Sequence, residues 1–156
     1  MPNWCYNELV VSGDAKQLAK FKKKAHRPAD DEQDETDLSL ANLYPEPDYN
    51  KVKVLPTFPK IVGNNDPVEP SQAWWDWRVQ HWGTKWDITA ELVDDDEERL
   101  QYQFDSAWSP PVAWLEKVAK DFPKLDFRLK YEEEGVGFLG VAKAHAGVTS
   151  NQEIEL

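Results

Sequence analysis

The sequence predicts an α+β fold in which two helices cover one face of an antiparallel sheet. Three observations carry this reading. Segments alternating apolar and polar residues recur at 3–12, 86–93, 100–106 and 125–131. Two segments of helical period fall between the first and second of these and between the third and fourth. A length of 156 residues suits one domain, and such a chain buries about two thirds of its unfolded surface without covalent staples.

The first strand ends at Gly13, and Asp14 follows as a helix N-cap with Gln17 as its capping-box partner. Leu18, Phe21 and Ala25 share one face of this helix. Lys22, Lys23 and Lys24 suit its C-terminal dipole, and Pro28 stops it. Residues 29–37 form an acidic run without an apolar anchor, expected to be a mobile loop. Residues 38–70 are proline-rich and aperiodic, so they read as irregular structure laid over the domain, anchored by Leu40, Leu43 and Tyr44.

Ser71 is placed to cap a short helix running to Trp82, with Gly83 as its stop. On that helix Trp75, Val79 and Trp82 share one face, while Trp74, Trp77, Arg78 and His81 share another. In the next strand Trp86, Ile88, Ala90 and Leu92 point one way. An acidic turn at 94–98 joins it to Leu100, Tyr102, Phe104 and Ser106 as a hairpin. Ser109, Pro110 and Pro111 open a helix whose buried stripe is Trp114, Leu115, Val118 and Phe122. Leu125, Phe127, Leu129 and Tyr131 form the fourth strand, residues 136–144 an extra C-terminal strand, and the polar tail from His145 is expected to fray.

This order is the ferredoxin-like split βαβ arrangement. It gives one domain over residues 1–144, with an irregular insertion at 27–70, an extra helix at 71–82, and a tail at 145–156. The topology also places four segments at one rim of the sheet: residues 2–6, 82–87, 107–111 and 132–135. Candidate binding residues gathered there are Asn3, Trp4, Trp82, Lys85, Trp86, Trp108 and Ser109. Trp74, Trp77 and Arg78 beside them form a possible interface, because Trp and Arg anchor binding hot spots.

Charge and composition narrow the function classes. Twenty-nine acidic against 18 basic side chains leave a net charge of −11, which opposes nonspecific attraction to nucleic acid or anionic lipid. No apolar stretch has the length of a membrane span, and the start lacks a secretory signal pattern, so a cytoplasmic location is expected. The lone cysteine, Cys5, forms no intramolecular disulfide. His26, His81 and His145 have no metal-ligand spacing, and the seven glycines form no phosphate-cradling loop, so neither metal nor cofactor is expected. Ser109 and Cys5, with Lys85 or His81 as activator, are the candidate nucleophiles; a helix cap and a packed strand residue explain them more simply. The run Glu132, Glu133 and Glu134 reads as a solvated turn. RNA-binding modules of this fold stack bases on their central strands. Here the outward positions of the hairpin are Asp87, Thr89, Glu91, Gln101, Gln103 and Asp105, and only Trp4 and Tyr6 offer stacking surfaces.

Several blocks resemble a phage- and plasmid-borne family with the YubB-type ferredoxin-like domain. They are residues 1–7 (MPNWCYN), 38–45 (LSLANLYP), 82–87 (WGTKWD) and 107–111 (AWSPP), closed by Glu133-Glu134-Gly135, Phe138 and Gly140. The resemblance implies the fold and a mobile-element origin, and implies no reaction. Two departures from the resemblance are the acidic, proline-rich insertion between Arg27 and Pro70, which reads as individual to this chain, and the polar tail, which is expected to stand in place of further structure of longer relatives. The combined expectation is a non-enzymatic protein that binds a basic host protein and inhibits a nucleic-acid-binding factor through acidic mimicry. The alternative is a small-ligand or enzymatic site at the tryptophan-rich rim. Oligomeric state is not legible.

Overall fold

A computed structural model describes residues 3–58 and 66–156. Among these the elements are β1 (Trp4–Gly13), α1 (Ala15–Ala25), α2 (Leu40–Leu43), α3 (Ala73–His81), β2 (Ala90–Asp95) and β3 (Arg99–Ala107). They continue with α4 (Val112–Asp121), β4 (Leu125–Glu133), β5 (Phe138–His145) and β6 (Val148–Glu155). The strands form one sheet in the order β2-β3-β1-β4-β5-β6, antiparallel throughout. Its first four strands have the ferredoxin-like order, and β5 and β6 extend one side.

Alternation along β1 divides the molecule. Cys5, Asn7, Leu9 and Val11 are buried beneath the helices, whereas Trp4 and Tyr6 are exposed on the open face. Leu100, Tyr102 and Phe104 on β3, and Phe127, Leu129 and Tyr131 on β4, continue the buried layer. The N-cap Asp14 accepts from the Gln17 amide, which fixes the start of α1. Phe21 then meets Tyr102, Phe122 and Phe127 edge to face at 5.5–6.2 Å. Trp114 of α4 is fully buried and donates its indole N–H to the Leu40 carbonyl at 3.1 Å, tying the insertion to the helix layer.

The insertion is more ordered than an acidic run suggests. Arg27 and Thr36 exchange backbone hydrogen bonds at 3.0 Å. Thr36 Oγ1 accepts from the Ala90 amide, the Asp37 amide donates to the Ala90 carbonyl, and an Asp37 carboxylate oxygen accepts from the Leu92 amide. These bonds cover the outer edge of β2, which would otherwise present unpaired backbone groups. Asp87 completes the attachment. Its carboxylate accepts from the Leu40 and Ala41 amides and the Ser39 hydroxyl, capping α2 from a distant part of the chain, and Arg27 pairs with it at 3.3 Å.

Other expectations need correction. Strand β2 begins at Ala90, not Trp86, because Asp87 is drawn to α2 and a bulge at 92–94 breaks the alternation further on. Ser71 does not cap α3; Gln72 precedes that helix without a side-chain bond. Ser109 does not cap α4, whose N-cap is Pro111, because its hydroxyl donates to the Gly83 carbonyl instead. Glu133 is buried rather than solvated, and its carboxylate accepts from the Gly135 and Val136 amides to shape the β4–β5 turn.

The tail is not frayed. It forms β6, paired with β5 through His145↔Val148 to Phe138↔Glu155. Two devices hold it. Ala146 and Gly147 both have positive φ, 51° and 79°, as a two-residue hairpin of the mirror-image type requires. The Tyr131 hydroxyl reaches Asn151 Oδ1 at 2.8 Å and Glu153 Oε2 at 3.1 Å. It crosses Gly140 to do so, where an added Cβ would lie 2.3 Å from that hydroxyl.

Asp87→Ala removes the shared acceptor of the α2 amides and leaves Arg27 without its ion-pair partner. Loss of several charge-assisted hydrogen bonds at a partly buried site is expected to cost about 2–4 kcal/mol. Urea denaturation monitored by tryptophan fluorescence checks this; a loss below about 0.5 kcal/mol, the scale of an ordinary surface substitution, would show that the carboxylate does not hold the insertion.

Candidate functional site: an aromatic rim around Lys85

The rim is assembled by backbone and hydroxyl bonds. Trp4 pairs with Ala107 across β1 and β3, and Tyr6 pairs with Glu132 across β1 and β4. The Trp108 amide donates to the Asn3 carbonyl at 2.8 Å. Thr84 is buried and donates its hydroxyl to the Ala107 carbonyl at 2.8 Å, while the Trp114 amide donates to the Trp82 carbonyl at 3.2 Å. Gly83 has a φ of 86°, and a Cβ there would stand 3.1 Å from the Pro110 carbonyl oxygen, so only glycine fits between the two loops. The fourth segment joins at Gly135, which lies against the Asn3 side chain.

Three indoles are displayed at this pole. Trp4 is 51% exposed, Trp86 39% and Trp108 49%. Trp4 and Trp86 stand 6.1 Å apart between ring centroids. The Lys85 ammonium lies 4.4 Å from the Trp86 centroid and 5.5 Å from that of Trp108, so one cation bridges two rings. Trp108 holds a φ of 71°, a left-handed conformation that a bulky residue adopts at a cost of about 1–3 kcal/mol. Despite that strain its ring stays half exposed. Beneath Trp108 runs a groove of about 300 Å³ lined by Phe58, Trp75, Val79, Thr84, Lys85 and Ser109.

The other candidates separate into two groups. Asn3 is half-buried at the rim as a backbone anchor. Trp82 is fully buried, its indole N–H donated to the Tyr44 carbonyl, so it is a core residue and offers no binding surface. Trp77 is also buried, stacked on His81 at 4.7 Å and packed edge-on against Tyr44 at 5.3 Å, which makes it a clamp for the insertion. Arg78 donates to both carboxylate oxygens of Glu46, at 2.7 and 3.0 Å, and to the Lys85 carbonyl at 3.2 Å. Burial raises the Glu46 pKa, but the hydrogen bonds from Arg78 and Tyr49 outweigh it and leave the carboxyl below its ordinary range. Trp74 remains partly exposed, with the Arg78 guanidinium 5.1 Å from its ring. The interface expected on α3 is therefore largely an internal joint.

Neither candidate nucleophile is activated. The Ser109 hydroxyl is engaged by the Gly83 carbonyl. Burial pushes the Cys5 thiol from its ordinary 9.0 up to about 12. Away from the rim, His26, Glu35 and Asp37 bring ligand-type atoms within 4.8 Å of one another, a grouping invisible in the sequence because it depends on how the loop folds back. His26 and Glu35 are hydrogen-bonded to each other at 3.0 Å, and Asp37 is held by the Leu92 amide.

Fold and rim together define a ferredoxin-like α+β domain with two added strands and an aromatic pole. Residues 81–155 match the family model described as "Ferredoxin-like domain in Api92-like protein". Among solved structures, the chain is similar to the crystal structure of protein Api92 from Yersinia pseudotuberculosis. The likeness covers 100% of this chain and 98% of that one, with a TM-score of 0.58 at 12% identity. At that identity it shows the shared fold. No curated protein matches the chain. Among the described residues no helix is long and apolar enough to cross a membrane.

Two outcomes are expected. Trp108→Gly relieves the left-handed strain, worth about 1 kcal/mol, but loses the covered half of a half-exposed indole, about 2 kcal/mol by area, and a cation–π contact worth about 0.5 kcal/mol. The melting temperature should therefore fall by a few degrees, and an unchanged value would show that the ring adds nothing to stability. The raised Cys5 pKa means that the folded state holds its proton more tightly than the unfolded state does. Its contribution to stability is complete below pH 9 and is lost as pH rises towards 12. Denaturation at a series of alkaline pH values should show a shallower decline for Cys5→Ala than for the native sequence; identical slopes would contradict the assignment.

Proposed function

We propose that this chain is a non-enzymatic recognition protein that engages a basic partner protein through its aromatic rim. The observation that carries the reading is the Lys85 ammonium lying over Trp86 and Trp108. The rim already receives a cation from its own chain, and a lysine or arginine of a partner has the same chemistry. Carboxylates gather around Tyr6, two residues along β1 from Trp4. Burial, with Glu8 and Asp105 nearby, raises the Tyr6 pKa, and Glu132 lies directly across from it. Carboxylates on the face that carries Trp4 favour cationic side chains, and the net charge of −11 steers a basic protein towards it. Displayed tryptophans are also the residue type most enriched at binding hot spots.

The motif resemblance supports a finer version of the proposal. A protein of a mobile element acting inside a host cell would present this acidic, aromatic face to a host factor that otherwise holds nucleic acid. A second reading is favoured by the groove beneath Trp108, whose walls of Phe58, Trp75 and Val79 suit a small apolar ligand.

Titration calorimetry with peptides of matched length, one arginine-rich and one glutamate-rich, separates these readings. The arginine-rich peptide should bind, weaken in 0.5 M salt at roughly the scale expected of screened charges, and lose at least about tenfold in affinity, or 1.4 kcal/mol, with Trp86→Ala. Equal affinity for both peptides, or no effect of Trp86→Ala, would remove the proposal. Stabilisation by neutral aromatic compounds but by neither peptide would favour the groove.

A further inference from the structure

The open face carries a second feature at the end opposite the rim. Trp4 opens β1 and Ser12 stands one residue before its end, roughly 26 Å away at the rise of an extended strand. Around Ser12 the face turns from aromatic and acidic to basic. Arg99 of β3, Arg128 of β4 and Lys143 of β5 line one groove of about 510 Å³, floored by Val10 and Ser12.

The register shows why this gathering is unusual. Arg128 and Lys143 are directly opposed across β4 and β5. Like charges in that position repel and destabilise the strand pair. In a chain with eleven more acidic than basic groups, opposite-charge pairing would be easy to supply. Neither nearby carboxylate is hydrogen-bonded to this pair. Asp126 lines the same groove but meets His145 at 2.6 Å, and Asp94 pairs with Arg99 at 3.9 Å while Gln101 Oε1 accepts from Arg99 at 2.6 Å. Among the described residues neither Arg128 nor Lys143 forms an ion pair. Lys130, two residues along the same strand and face, is directly opposed by Glu8 and so marks the edge of the basic region.

We propose that this groove binds the phosphate groups of a small phosphate ester, held by Arg128 and Lys143 with Arg99 closing the third side. Guanidinium groups present paired donors that match phosphate oxygens, and an anion between Arg128 and Lys143 converts their repulsion into attraction. The ligand is small because the basic region is short. Within two rows along β1 the face passes to Glu8, and then to Tyr6 between Asp105 and Glu132. Each further phosphate of a nucleic-acid strand would meet carboxylates there.

Calorimetry of the full chain at low salt, with pyrophosphate, a nucleoside diphosphate and a single-stranded oligonucleotide series, tests the site. Pyrophosphate and the diphosphate should bind saturably, and Arg128→Gln combined with Lys143→Gln should weaken both at least about tenfold. That double variant removes a repulsive pair, so its melting temperature should not fall. Arg99→Gln provides a second variant on a separate strand and should weaken binding in the same direction. Amide shifts on titration should centre on Val10, Ser12, Arg128 and Lys143. Absence of saturable binding by either small ligand would overturn the proposal, as would unchanged affinity in these variants. Affinity that climbs steadily with oligonucleotide length would overturn it in favour of a nucleic-acid surface.

Discussion

The carboxylate of Asp87 joins the insertion to the sheet. It sits between the rim segment and β2, yet its hydrogen bonds run to Ser39, Leu40 and Ala41 in the insertion. One side chain thereby caps a four-residue helix that is far too short to be stable alone. It also sets where β2 begins and frees Trp86 to turn outward. With α2 fixed, the Leu40 carbonyl meets the Trp114 indole, and Leu38, Leu40 and Leu43 complete the core above the sheet. Residues 38–43 of the insertion are thus part of the helix layer, and α3 packs in the same layer through Trp77 and Trp82.

The same segment builds the displayed pole. Trp82 points into the core, Thr84 binds β3, Lys85 lies over two indoles, and Asp87 holds the insertion. Such a division of labour within six residues explains why tryptophan serves opposite purposes a few positions apart. Burial of Trp82, Trp77 and Trp114 supplies the apolar area that an acidic chain of modest hydrophobic content needs. Trp4, Trp86 and Trp108 contribute little to that core, and Trp108 carries backbone strain. Backbone strain under a half-exposed indole sets the rim apart from the rest of the surface.

Chain order made the fold and the location of the rim legible. Period-two strands and capped helices in split βαβ order fix which strand ends meet, so Trp4, Lys85, Trp86 and Trp108 follow from topology alone. Periodicity could not say which tryptophans are buried, since α3 mixes its tryptophans with Asp76, Arg78, Gln80 and His81 and has no clear apolar stripe, and Trp82 sits at its C-cap. The β6 hairpin was hidden because Ala-Gly at 146–147 is a weak turn signal, and because its anchor is a tyrosine reaching over Gly140 from another strand. The role of Asp87 was hidden for the same reason: its partners lie more than forty residues away. The basic groove depends on register between β4 and β5, which alternation alone does not specify.

The proposed recognition surface requires that Lys85 rest on the indoles in the free protein. Proton chemical shifts of its side chain test this, because a methylene held over an indole face experiences its ring current. The Lys85 ε-protons should lie well upfield of an exposed lysine, and Trp86→Ala should return most of that displacement. An ordinary lysine shift in the native protein would mean that Lys85 does not rest on the indoles, and the proposed recognition surface would lose its foundation.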